Sequence, residues 1–106
     1  MLLVTQGIRK ALRKMPYGSQ DGKGLNAKVI ARYFRGNMTA YVLESEGDTK
    51  VFGLVDLGGG FEYGSFDLAD YESINKRYVF PVERDLSVKP LKMTLGECME
   101  MYCETL

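Results

Sequence analysis

Apolar positions recur along this chain with two periods, and the changes of period divide it into elements. Near the start, Ile8, Leu12 and Met15 fall at i, i+4 and i+7, with Ala11 beside them. That spacing predicts a core-facing helical stripe. Thr5 can cap the helix, which runs to about Lys14 with Arg9, Lys10, Arg13 and Lys14 on its other side. Pro16 ends it, because the proline ring cannot continue a helix. Residues 16–26, with Gly18, Gly22 and Gly24, read as a loop.

The period then shortens to two. Ala27 to Arg35 holds Val29, Ile30, Tyr33 and Phe34 in near-alternation and predicts a first strand. Gly36-Asn37 suits a two-residue hairpin turn, since both residues tolerate positive φ. Met38 to Glu44 predicts the return strand, with Tyr41 and Leu43 on one face and Ala40 and Val42 on the other. Glu46-Gly47-Asp48 reads as a turn, Lys50 to Leu57 as a third strand and Phe61 to Phe66 as a fourth.

Helical signals return after that. Asp67 can cap a short helix through Ile74, with Asp70 placed where the helix dipole favours an acid. Tyr78 to Glu83 predicts a short strand at a sheet edge, because Pro81 cannot donate to a ladder. Thr94 and Glu97 form a capping box for a last helix, whose buried stripe is Leu95, Cys98, Met99, Tyr102 and Cys103. The expected fold is one α+β domain over residues 1–106. It is an antiparallel meander of four to five strands with the N- and C-terminal helices packed on it.

Composition narrows the chemistry. The chain has 106 residues and no histidine. That excludes Ser-His-Asp and Cys-His catalysis and every His-ligated metal centre. Cys98 and Cys103 stand about 140° apart around a helix axis, too poorly placed for an unstrained disulfide. They read as two buried thiols of a cytoplasmic protein, and without a CxxC they do not suggest zinc. No charged-then-apolar leader and no membrane-length apolar run is visible. No cofactor or metal is expected, and the protein reads as a binder, not an enzyme.

Net charge is zero, but the charges are segregated. Residues 1–35 carry eight bases and one acid, a balance of +7; residues 36–75 carry eight acids and one base, a balance of −7. If folding keeps these stretches apart, the surface is bipolar. Several local patterns have plain readings. Gly58-Gly59-Gly60 is followed by the extended Phe61-Glu62-Tyr63, which suits an interstrand turn better than a phosphate loop. The acids Asp56, Glu62, Asp67, Asp70 and Glu72 suit solvated or capping roles better than acid/base work. The strand aromatics suit the core, with base stacking beside Arg32 and Arg35 as the alternative. Glu83-Arg84-Asp85 suggests a local ion-pair network.

Three segments together resemble a known family. They are Val51-Phe52-Gly53-Leu54-Val55, the run from Phe61-Glu62-Tyr63-Gly64-Ser65-Phe66-Asp67-Leu68 to Ile74, and Val82-Glu83-Arg84-Asp85-Leu86 to Pro90. They resemble an uncharacterised family of small proteins encoded on conjugative plasmids, integrative elements and phages. The chain departs from the family pattern at Phe34–Met38, where a Pro- and Trp-containing turn is usual, and it has no Trp. The resemblance implies an accessory protein that binds a macromolecular partner, including inhibitors of host defence such as anti-CRISPR and anti-restriction proteins. It assigns no catalytic residue.

Two surfaces follow as expectations. In the first, Glu44, Glu46, Asp48, Asp56, Glu62, Asp70 and Glu72 share a face and meet a basic surface of a protein partner, such as a nucleic-acid-targeting defence complex. In the second, Arg9, Lys10, Arg13, Lys14, Arg32 and Arg35 bind nucleic acid.

Overall fold

The computed structural model describes residues 1–106. Its elements are α1 (Gln6–Lys14), a 3-10 turn (Gly24–Asn26), β1 (Ala31–Arg35), β2 (Met38–Ser45), β3 (Lys50–Asp56), β4 (Phe61–Asp67), α2 (Leu68–Arg77), β5 (Glu83–Arg84) and α3 (Leu95–Met101). The five strands form one antiparallel sheet in the order β4-β3-β2-β1-β5. No helix is long and apolar enough to cross a membrane.

The three helix starts follow from their caps. Thr5 Oγ1 accepts from the Ile8 N–H at 3.1 Å, and Asp67 Oδ1 accepts from the Ala69 N–H at 2.9 Å. At α3 the full capping box forms, with Thr94 Oγ1 accepting from the Glu97 N–H and Glu97 Oε1 from the Thr94 N–H. The Glu97 carboxyl is held below its usual range by those hydrogen bonds.

The sheet is covered on both faces. Ala40, Val42 and Val51 lie under α1 and α2 with Ile8, Leu12, Tyr33 and Leu68. Tyr41, Leu43 and Leu54 face the other way and pack on Val29, Leu95, Cys98 and Met99. The terminal helices therefore sit on opposite sides. This double cover explains why β2 is buried at all but one position although it alternates in direction.

β2 does not keep strict alternation. Its register against β3 slips between Val42, opposite Gly53, and Glu44, opposite Phe52. Leu43 is the extra residue of a bulge. The slip turns Glu44 to the α3 side of the sheet and returns Ser45, opposite Val51, to the α1 side.

Several boundaries differ from the expected ones. The β1 ladder begins at Ala31 because residues 27–29 bond elsewhere: the Val29 N–H donates to the Met93 carbonyl and the Leu95 N–H to the Ala27 carbonyl. α2 continues to Arg77. Tyr78–Glu83 is not a strand; only Glu83 and Arg84 pair with β1. Pro81 has no N–H to give, and the Asn75 side chain takes both backbone groups of Val82, at 2.6 and 3.0 Å. Cys98 is buried as expected, but Cys103 is exposed, because α3 stops at Met101 and Cys103 turns left-handed with φ 55°.

Burial makes this fold sensitive to alkali. Desolvation pushes the Cys98 thiol up to about 11 and the Tyr71 phenol up to about 12, and it raises the Tyr33 and Tyr41 phenols further. Their folded values lie above the unfolded ones, so the unfolded chain releases protons first as pH rises. Their stabilising contribution is intact below about pH 9 and is lost as pH climbs towards 12. We expect urea midpoints to fall steeply over that window. Phenolate absorbance should rise in two steps, the second coinciding with unfolding. A midpoint constant from pH 8 to 11.5 would contradict the burial of these groups.

Candidate functional site

Arg32, on β1, is not available to a nucleic acid. Its side chain is buried, 3.1 Å from Asp85 and 3.6 Å from Glu104, with the guanidinium 3.8 Å above the centre of the Tyr102 ring. The Tyr41 hydroxyl donates to Glu104, and the Tyr102 hydroxyl donates to Asp85. Asp85 also accepts from the Ser87 N–H at 2.9 Å. The partners of Arg32 come from far along the chain, so the ion pairing expected within Glu83-Arg84-Asp85 is long-range instead. Among fully buried side-chain polar atoms, the Arg32 Nε alone has no hydrogen-bond partner. The cluster fastens β1, β2, the segment after β5 and the C-terminal tail to one another.

Glu44 is likewise internal, which corrects its expected place on a partner-binding face. The bulge points its carboxylate at the 16–26 loop, where it accepts from the Gly18 N–H at 3.0 Å and the Gln20 N–H at 2.8 Å. Gln20 is itself buried and holds Lys28 and Leu43 backbone groups, so this pair anchors the loop.

The remaining acids do not gather on one face. Glu46 and Asp48 occupy the β2–β3 turn, where Asp48 stands 3.9 Å from Arg9. Asp56 and Glu62 lie at the other end of the sheet. Asp56 is level with Phe61, which packs on Tyr41, whereas Glu62 is level with Val55, packed on the α1 side. They therefore point to opposite faces. Asp56 Oδ1 closes the β3–β4 turn by accepting from the Gly58 and Gly60 N–H groups. Asp70 and Glu72 are exposed on α2. A single carboxylate face mimicking a run of phosphates is not built. No group of three or more Cys, Asp or Glu side chains is arranged to hold a metal ion.

The bases divide too. Arg9, Lys10, Arg13 and Lys14 are all exposed on α1, and the first three line a shallow depression with Gln6. Arg35 is half-buried at the far end of β1; its Nε donates to the Phe80 carbonyl at 2.7 Å, and its guanidinium lies 5.5 Å from the Tyr78 ring centre. Of the strand aromatics, Tyr33 and Tyr41 are core, while Tyr63 is exposed and stacked on Phe52.

The most exposed apolar surface lies where an edge strand was expected. Tyr78, Val79 and Phe80 are 58, 90 and 75% exposed in succession. Met1 and Leu2, 67 and 62% exposed, run along the same edge, where the Arg84 side chain donates to the Leu2 carbonyl at 3.0 Å. Five of the twelve exposed large apolar side chains thus lie along the β5 edge. Arg35 reaches the Phe80 carbonyl, Arg84 bonds to Met1 and Leu2, and Lys76 and Arg77 end α2 just before Tyr78. A sequence signal was present: three apolar residues in a row before a proline, without the alternation a half-buried strand requires.

Fold and surface together define a small α+β protein with a covered sheet, a buried ionic cluster and an apolar edge. Residues 3–101 match the model of a family described as a protein of unknown function, DUF2958, and the chain belongs to that family. No curated protein and no solved structure matches the chain.

Proposed function

We propose that the protein acts by binding another protein, not by catalysing a reaction, and that the β5 edge is its contact surface. The observation that carries this reading is the exposed run Tyr78-Val79-Phe80. Contiguous apolar side chains cost solubility and mark interaction sites when they persist on a folded surface. Aromatics with an arginine beside them supply the residue types that dominate interface energies. The partner surface is an apolar recess with an acidic rim, complementary to Arg35, Lys76 and Arg77. The resemblance to proteins of mobile elements makes host-defence complexes that act on nucleic acid the first partner class to test. Inhibition would then proceed through the apolar edge and not through phosphate mimicry.

The test compares the wild-type chain with V79D/F80D in pull-downs from host extract, followed by affinity measurement on the purified partner. Both side chains point to solvent, so the variant should fold normally. We expect its affinity to fall by at least about 30-fold, the loss of one hot spot. Equal affinity for the two chains would sink the proposal. A second reading rests on the depression lined by Gln6, Arg9, Lys10 and Arg13. In that case the chain binds duplex DNA with an affinity that collapses as salt is raised.

A further inference from the structure

β4 is the open edge of the sheet. All seven of its residues pair with β3, from Asp67 opposite Lys50 to Phe61 opposite Asp56. No other backbone segment bonds to residues 61–67. Every second backbone pair along this edge is therefore left to solvent. The opposite edge offers no such template, since β5 contributes two residues and is followed in space by Pro81 and the Asn75–Val82 bonds. Exposed Glu62 and Tyr63 stand on β4, with Ser65 exposed beside them.

A groove runs beside this edge on the α1 side of the sheet. Its volume is about 420 Å³, and its apolar lining includes Val55, Leu57, Phe66 and Tyr71. A strand added to β4 would place alternate side chains over that groove and the others against Tyr63 and Ser65. The charge around the edge selects the occupant. Residues 51–75 carry five acids, Asp56, Glu62, Asp67, Asp70 and Glu72, and no Lys or Arg. A second copy of the chain would bring two such stretches together, with like charges along one seam.

We infer that β4 receives an extended segment of a partner protein as a sixth strand, and that this segment alternates apolar and basic residues. Its backbone completes the free hydrogen bonds, its Lys or Arg side chains stand on the α1 side with their stems over the groove and their charged ends at Glu62, and its apolar side chains lie on the other face against Tyr63, which stacks on Phe52. This surface lies at the far edge of the sheet from Tyr78–Phe80, so it goes beyond the contact proposed above and stands independently of it.

The experiment titrates the isotopically labelled full chain with a blocked nonapeptide of alternating valine and lysine, read by amide shifts and hydrogen exchange. Shifts should concentrate on residues 61–67, with exchange of the outward β4 amides slowed at least about tenfold. Glu62→Lys should weaken binding about tenfold, because one attractive cross-strand pair becomes repulsive. A valine–glutamate peptide, or the lysine peptide with a central proline, should not bind. V79D/F80D should bind the peptide as the wild type does, which separates this site from the β5 edge. Shifts centred elsewhere, or undiminished binding of the proline peptide, would overturn the inference. So would β4 amides already protected in a dimer without peptide, which would assign the edge to a second copy.

Discussion

Gly53→Ala is expected to leave no stably folded protein. Gly53 sits on β3 in the middle of the sheet, opposite Val42 at the β2 bulge and Gly64 on β4. A methyl group there would lie 1.8 Å from the Tyr41 carbonyl oxygen and 3.2 Å from the Val42 Cα. These are backbone atoms of the central strand, held by ladders on both sides, and they cannot step aside as a flexible side chain would. The bulge brings the two backbones this close, so the requirement for glycine is steric and does not come from φ. The cost should exceed about 4 kcal/mol, a large part of the stability of a domain this size. Gly59→Ala is the control: a methyl group there meets nothing within 4 Å and should change stability by less than about 0.5 kcal/mol. Circular dichroism and urea unfolding of the two variants decide the matter. A Gly53→Ala protein that melts near the wild type would mean that the register around the bulge is different.

The second large effect is expected at Asp85. Asp85→Ala removes the nearer counter-charge of a buried guanidinium and two of the hydrogen bonds that organise the cluster. Breaking a buried pair from one side costs about 3–5 kcal/mol, because the surviving charge stays desolvated. Glu104, 3.6 Å from Arg32, remains, so the loss should fall towards the lower end of that range. Arg32→Met combined with Asp85→Ala should cost less than the sum of the single changes by about 1–3 kcal/mol. Urea denaturation of the cycle measures this directly, and strict additivity would show that the two side chains are not coupled.

Much of the fold is written in local patterns. The stripe Ile8, Ala11, Leu12 and the caps Thr5, Asp67 and Thr94 depend on residues three or four apart, and each acts as its type predicts. The alternation of Ala40 to Leu43 likewise separates the two cores. What was not legible depends on contacts distant in sequence. Nothing near Arg32 announces Asp85 or Glu104, so its position beside Tyr33 and Phe34 on a strand suggested a nucleic-acid contact. Glu44 looked like a surface acid because an extra residue in a strand leaves no mark on its neighbours, yet the bulge at Leu43 decides which way its carboxylate points. The segment 78–83 reads as a strand by composition, but Pro81 has no N–H to give and the Asn75 side chain takes the backbone groups of Val82. The open β4 edge is a property of strand order, which no single strand encodes. How the acidic and basic blocks meet is also set by the fold, as Arg9 and Asp48 come from opposite blocks and stand 3.9 Å apart at one turn.

The buried ionic cluster also sets an order of events during synthesis. Asp85 follows Arg32 by 53 residues. At ordinary elongation rates the ribosome needs about 3–10 s to cover that distance. Through that interval the first three hairpin strands can pair, but the guanidinium at their centre has no acid to meet and one side of the nascent sheet has no lid. The sheet closes only when the last twenty or so residues arrive. Truncated or stalled chains would therefore carry a bare apolar face with a stranded cation in it, a form that cellular proteases and chaperones can tell apart from the finished protein.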